Sequence, residues 1–222
     1  SRVIGCTVAS PTLAFSATKF FNDHDIPWEW VRSESVHEAE GFTLTNAYER
    51  TGQLGPDRWY AAIGALSLFR GTPLLVVHAG TATTVDSLFQ TGDGEYRFMG
   101  GRIAPGPALM HKALLSAVPT LDSGLTEHKD FPLCSSDAIT TGIIDAQVGL
   151  ITQAYESMCE AGQRPKIILA GGSSRFLAPR LRTLHPTLIV LHNLVLGGLA
   201  QKTQVLSQNA LSNCLYHFTI LQ

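Results

Sequence analysis

The sequence holds 222 residues, 45% of them hydrophobic, with a formal net charge of −2. That is enough apolar material for one large domain or two small ones, and the near-neutral balance gives no reason to expect a nucleic acid or an anionic membrane as partner. No apolar run approaches the roughly 20 residues a membrane-spanning helix needs; the four cysteines, Cys6, Cys134, Cys159 and Cys214, include no C-x-x-C pair, which points to a reduced, cytoplasmic protein acting on small molecules.

In chain order, "RVIGCTVA" predicts a buried strand, "PTLAFSATKFFNDHD" a helix opened by Pro11, and "WEWVRS" a second strand. The polar stretch "ESVHEAEGFTLTNAYERTGQLG" shows no periodicity, and "PDRWYAAIGALSLFR" has helical apolar spacing. From residue 74 the pattern changes. "LLVVHAG", "TATTVDSLF" and "EYRFMGGRIA" are β-rich runs joined by short glycine-bearing links, which predicts an antiparallel meander. A helix from about Pro105 follows, then a long helix over "SSDAITTGIIDAQVGLITQAYESMCEAG". The strand "KIILAGG", a helix over "SRFLAPRLRTL", the strand "TLIVLHN" and a last helix from about Leu194 complete the order. The sum is βββαβαβα with one extra helix, the alternation of an α/β fold with a mixed sheet covered on both faces.

Three stretches invite a chemical reading. In "HAGTATTVD", Gly80 permits a close turn after a strand, and Thr81, Thr83 and Thr84 bring hydroxyls and backbone N–H groups to the bend, a concavity suited to phosphate oxygens as well as an ordinary threonine-rich strand. "LAGGSS", with Gly171 and Gly172, is a strand that stops at a glycine pair and opens a helix, where a nucleotide can lie. In "LGPDRW", Asp57 and Arg58 occupy the first turn of a helix. There they serve either as cap and dipole partner or as a phosphoryl-transfer pair, in which a carboxylate takes the proton of an attacking hydroxyl.

Taken together, "LGPDRW", "HAGTATTVD", "GGRIAPGPALM" and "ILAGGSS", in that order, resemble the type III pantothenate kinases and the related Bvg accessory factors. The resemblance runs over about residues 1–200. It implies duplicated actin-like, ribonuclease-H-like domain copies: residues 1–70 as the remainder of a first copy, 71–206 as the second, and 207–222 as a tail. It also implies a homodimer that transfers phosphate from ATP, with Mg²⁺ and a monovalent cation (K⁺ or NH₄⁺), to the hydroxyl of pantothenate, the first step toward coenzyme A. On that resemblance Asp57 is the catalytic base. Gly55, Pro56, Asp57 and Arg58 hold pantothenate with Tyr48, Ser135 stands in for a substrate-binding threonine, and Gly80, Thr81, Gly171 and Gly172 meet ATP. A regulatory accessory protein of the same fold, or another phosphotransferase of the superfamily, are the alternatives.

Two departures from the family pattern carry expectations. His78 occupies the position of the aspartate that holds the monovalent cation, and imidazole is a poor partner for K⁺. The D-x-G-N-[ST] phosphate loop of the first copy does not occur, so the chain is expected to begin part-way through that copy and, taken alone, to bind ATP weakly. Asp86 reads either as a carboxylate near Mg²⁺ or as an exposed strand-end residue. The eight histidines show no zinc spacing, and the three tryptophans read as packing. An apolar stripe of Ile139, Ile143, Ala146, Leu150 and Ala154 on the long helix reads as a core or a dimer face.

Overall fold

A computed structural model describes residues 3–8, 10–121 and 124–202. The chain divides into two compact units: residues 1–70 with 91–98 and the chain from Leu194 form one, and residues 71–90 with 99–193 the other. Residues 207–222, expected as a tail, lie outside the described residues.

The first unit opens with a parallel crossover. β1 (Val3–Gly5) pairs in parallel with β2 (Trp28–Trp30), and α1 (Pro11–Asp23) connects them. Ser10 caps α1 by accepting from the Leu13 N–H, and Pro11 fills the first helical position, where no N–H is needed. Trp28 and Trp30 are half-buried, and their indole N–H groups donate to Asn22 Oδ1 (2.7 Å) and Thr18 Oγ1 (2.9 Å), which ties β2 to α1. β3 (Val36–Ala39) and β4 (Phe42–Asn46) form an antiparallel hairpin around Glu40–Gly41, with Gly41 at φ +81°. This hairpin lies within the stretch read from sequence as non-periodic. Its alternation of Phe42 and Leu44 inward is short and sits among acidic residues, so the period of two is hidden. β4 then pairs in parallel with the start of β7 (Glu95–Pro105).

The central element of this unit is α2 (Pro56–Leu68), whose residues from Arg58 to Leu66 are all buried. It crosses α6 (Leu194–Lys202) at bare backbone: a Cβ on Gly64 would overlap the Leu194 carbonyl, and one on Gly198 would overlap that of Tyr60. Only glycine allows this approach. Beyond the crossing, Lys202 Nζ is ion-paired with Glu34 Oε1.

In the second unit the sheet order is β7-β6-β5-β8-β9, formed by β5 (Leu74–Ala79), β6 (Ala82–Gly92), β7, β8 (Lys166–Ala170) and β9 (Ile189–Val190). β5 is antiparallel to β6 and parallel to β8, and β8 is parallel to β9. With α3 (Pro107–Ala117), α4 (Ser135–Glu160) and α5 (Ser174–Leu184), the unit runs βββααβαβ, and α6, which follows in the chain and belongs to the first unit, completes the βββαβαβα order with one extra helix. This is the α/β fold expected from sequence. One face of the sheet, through Leu75, Val77, Val85 and Leu169, packs on Ile144, Val148, Ile151 and Met158 of α4 and on Leu177 and Leu181 of α5. The core side of α4 therefore differs from the stripe expected: Ile143 and Ala154 are buried, whereas Ala146 is exposed and Ile139 and Leu150 lie at the margin. Among the described residues no helix is long and apolar enough to cross a membrane.

Candidate active site

In the first unit the functional candidates meet at the N-terminus of α2. Gly55 is the N-cap residue, Pro56 opens the helix, and Asp57 follows as the acidic residue of the first turn, where the helix dipole favours a carboxylate. Asp57 is half-buried and Arg58 is buried, with 6% of its surface exposed. A buried guanidinium must be held. Its Nη1 donates to Tyr48 Oη at 2.9 Å, and its carbon lies 5.8 Å from the Tyr48 ring centroid and 5.7 Å from that of Phe98. Tyr48 is in turn set by Asn46, whose Oδ1 accepts from the Tyr48 N–H (3.0 Å) while its Nδ2 donates to the Glu34 carbonyl (3.2 Å). Tyr48 and Phe98 meet edge to face with centroids 6.0 Å apart.

The structure thus brings together Tyr48, Gly55, Pro56, Asp57 and Arg58. It adds two residues that sequence reasoning missed, Asn46 and Phe98. Asn46 carried a signal, an Asx turn two residues ahead of the tyrosine. Phe98 carried only the inward alternation of Tyr96 and Phe98 on a strand.

Beneath this corner, Cys6 is buried at the end of β1. Burial, and after it the Asp57 carboxylate, push the Cys6 thiol up to about 12, so it stays a neutral SH group.

In the second unit the glycine turns converge on one hairpin tip. Gly80 and Thr81 link β5 to β6, and the Gly80 N–H donates to the Ala82 carbonyl at 3.0 Å. The Gly106 N–H, at the N-cap of α3, donates to Thr81 O at 2.8 Å. The Ser173 N–H, at the N-cap of α5, donates to Ala79 O at 2.9 Å. Two helix N-termini therefore abut the tip, each reaching it through backbone alone. A Cβ on Gly106 would overlap the Gly80 carbonyl, and one on Gly171, at φ +97°, would overlap that of Ala79. Gly172, by contrast, faces open space. These N–H groups are each taken by a carbonyl of the hairpin, and what the tip offers an anion is the positive ends of two helices brought close to one turn.

His78 lies beside the tip, and Asp86 stands further along β6. Asp86 is neither exposed nor at a strand end: β6 runs on to Gly92, and Asp86 is paired with Val76 and only 1% exposed. Ser135 is not drawn to the hairpin. It is exposed at the first residue of α4, and the part of α4 that reaches the hairpin side is Gln147, whose Nε2 donates to the Pro105 carbonyl at 2.9 Å. Ser135 lies about 18 Å along the helix from it at ~1.5 Å per residue. The segment before α4 is laced to it instead: Thr126 N–H donates to Thr140 Oγ1 (2.9 Å), Lys129 pairs with Asp137 (2.7 Å), and His128 with Asp145 (2.9 Å).

Comparison with known proteins follows the same residues. A family model described as type III pantothenate kinase matches residues 1–157. A type III pantothenate kinase of Polaromonas sp. is 35% identical over 206 residues, covering 90% of this chain and 76% of that protein. One from Azoarcus sp. is 34% identical over 221 residues, covering 98% and 77%. Among solved structures, a conserved Campylobacter jejuni protein of the Baf family of transcriptional activators superposes with a TM-score of 0.56 at 19% identity, over 93% of this chain and 85% of that one. That likeness is one of fold.

Proposed function

This chain belongs to the type III pantothenate kinase family, and from that premise we propose that the α2 corner binds and deprotonates pantothenate while the glycine cradle holds the phosphates of ATP. The overall activity is ATP-dependent phosphorylation of pantothenate, the entry to coenzyme A biosynthesis.

The observation that carries the assignment of roles is the fixed Arg58. Its guanidinium, held by Tyr48 Oη and two ring faces, is presented beside Asp57 on the first turn of α2. A pre-set guanidinium suits the carboxylate of pantothenate, since its planar fork matches two oxygens. Asp57 then accepts the proton of the substrate hydroxyl as its oxygen bonds to the γ-phosphorus. The bond from that phosphorus to the bridging oxygen breaks, and ADP leaves with the electron pair. The turns at Gly80–Thr81 and Gly171–Gly172, with the N-termini of α3 and α5 beside them, steady the phosphate oxygens, which move little, so a rigid cradle serves.

Magnesium enters with the ATP phosphates, which together with one or two carboxylates are its usual ligands. When bound it neutralises charge that builds on the transferred group. Asp86 on β6 is the buried carboxylate nearest in sequence to the cradle and is assigned to support it.

The working form is a cytoplasmic homodimer. Its support is the position of Ser135, exposed at the start of α4 and distant along that helix from the hairpin side. There a twin subunit's pocket can receive its hydroxyl. A coupled assay with ATP and pantothenate, run on the chain and on Asp57→Asn, tests the reading. Turnover in the variant equal to that of the parent removes Asp57 from the base role.

A further inference from the structure

His78 is where this chain's chemistry parts from the cation that the family resemblance implies. Potassium and ammonium sites are built from oxygen, while imidazole suits transition metals. The ring nitrogens at position 78 do not fit the monovalent ion.

They do fit another device. His78 is the second-last residue of β5 and half-buried. Its Cε1 and Nδ1 lie 3.5 and 3.6 Å from the point where a Cβ on Gly80 would sit, so the polar edge of the ring lies against the hairpin tip. In register it faces Thr84 on β6, and Asp86 follows on the same face two residues along. On the other side it pairs with Ala170 of β8, which brings no charge. A carboxylate placed diagonally across a strand pair is within reach of a long or aromatic side chain.

We infer that His78 is a built-in replacement for the monovalent cation, its ring N–H meeting phosphate oxygens at the Gly80–Thr81 tip, so that nucleotide binding in this chain needs neither potassium nor ammonium. The inference rests on reading the hairpin as the nucleotide site.

The test is calorimetric titration of ADP with Mg²⁺ into the parent chain, His78→Asp and His78→Ala. Each is measured in potassium chloride and in tetramethylammonium chloride at one ionic strength, with thermal melting to establish that the variants fold. The parent is expected to bind equally in both salts. His78→Asp, which restores an oxygen ligand, is expected to bind on the order of tenfold tighter in potassium, and His78→Ala to bind on the order of tenfold more weakly than the parent in either salt. A tenfold potassium effect on the parent overturns the inference, as does a folded His78→Asp indifferent to potassium or a His78→Ala as tight as the parent. If no protein binds ADP in either salt, it is the nucleotide reading of the hairpin that falls.

Discussion

The two candidate regions hold their ligand groups by opposite means. At the α2 corner the working groups are side chains, and each is fixed by another: Asn46 sets Tyr48, Tyr48 and Phe98 set Arg58, and Arg58 stands beside Asp57. At the hairpin the proposed phosphate site is built from backbone and helix ends, and what lets α3 and α5 close on the tip is the lack of side chains at Gly106 and Gly171. The contrast follows from the partners. A substrate that must be told from similar molecules calls for shaped, charged contacts, whereas a phosphate chain is the same in every nucleotide and needs only close, regular donors. Substitutions should therefore act differently in the two places: graded losses of substrate recognition at the corner, steric collapse at the cradle.

The largest effect expected is at the corner. Asp57→Asn keeps shape and burial and removes the proton acceptor, so kcat should fall by roughly 10²–10⁴. The melting temperature should stay within about 2 °C, since no mechanism for a large stability loss is present. Steady-state kinetics with a matched melting curve checks this.

Next comes the cradle, where Gly171→Ala places a methyl group on the Ala79 carbonyl at a backbone conformation that alanine avoids. A loss of about 2–4 kcal/mol in denaturant unfolding is expected. Gly172→Ala, one residue on and facing open space, should stay within about 0.5 kcal/mol. Equal effects at the two positions would erase the contrast between cradle and corner.

Back at the corner, Arg58→Lys keeps the charge but loses the planar fork and the ring contacts. It should cost about 1.5–3 kcal/mol in kcat/KM for pantothenate, mostly through KM. Tyr48→Phe removes one acceptor and should cost about 0.5–1.5 kcal/mol in the same quantity. A change in the KM for ATP instead would move both residues out of the pantothenate site.

The smallest effect expected lies away from both regions. Burial lowers the pKa of His37 below the usual imidazole value, against the pull of Glu34, which raises it. Its Nε2 is buried without a hydrogen-bond partner among the described residues. Because the unfolded chain takes up this proton first, the contribution is complete above about pH 6.5. It is lost as pH falls through the lower, folded value, by at most about 1.4 kcal/mol per pH unit. His37→Leu should flatten that limb of the melting profile. His185, also lowered by burial, leaves a residual slope.

The sequence made the cradle legible because glycine at a strand end is a local signal. The helix that begins at Pro56 was legible for the same reason, since proline at its first position and an acidic first turn are read within four residues. What stayed hidden depended on distant neighbours. Phe98 belongs to the corner only because β7 returns beside β4, with Asn46 paired to Phe98. Asp86 looked like a strand end because threonine-rich runs have no marked stop, yet β6 continues six residues further. On α4 the apolar residues spread widely, so spacing alone does not say which of them enter the core: Ile143 and Ala154 of the stripe do, and the sheet's inner face selects Ile144, Val148 and Ile151 beside them.

The close crossing of α2 and α6 has a consequence for how the molecule is made. Residues 69–193, 125 in all, separate the end of α2 at Leu68 from the start of α6 at Leu194. At about 5–20 residues per second of synthesis, α2 with its aspartate emerges roughly 6–25 s before the helix that packs against it. During that interval the buried face of α2, from Trp59 to Leu66, has no α6 to cover it, while residues 71–90 and 99–193, a unit complete in themselves, are being delivered. The order of completion is thus the reverse of the order along the chain: the hairpin unit can be finished first, and the α2 corner with Asp57 is closed last.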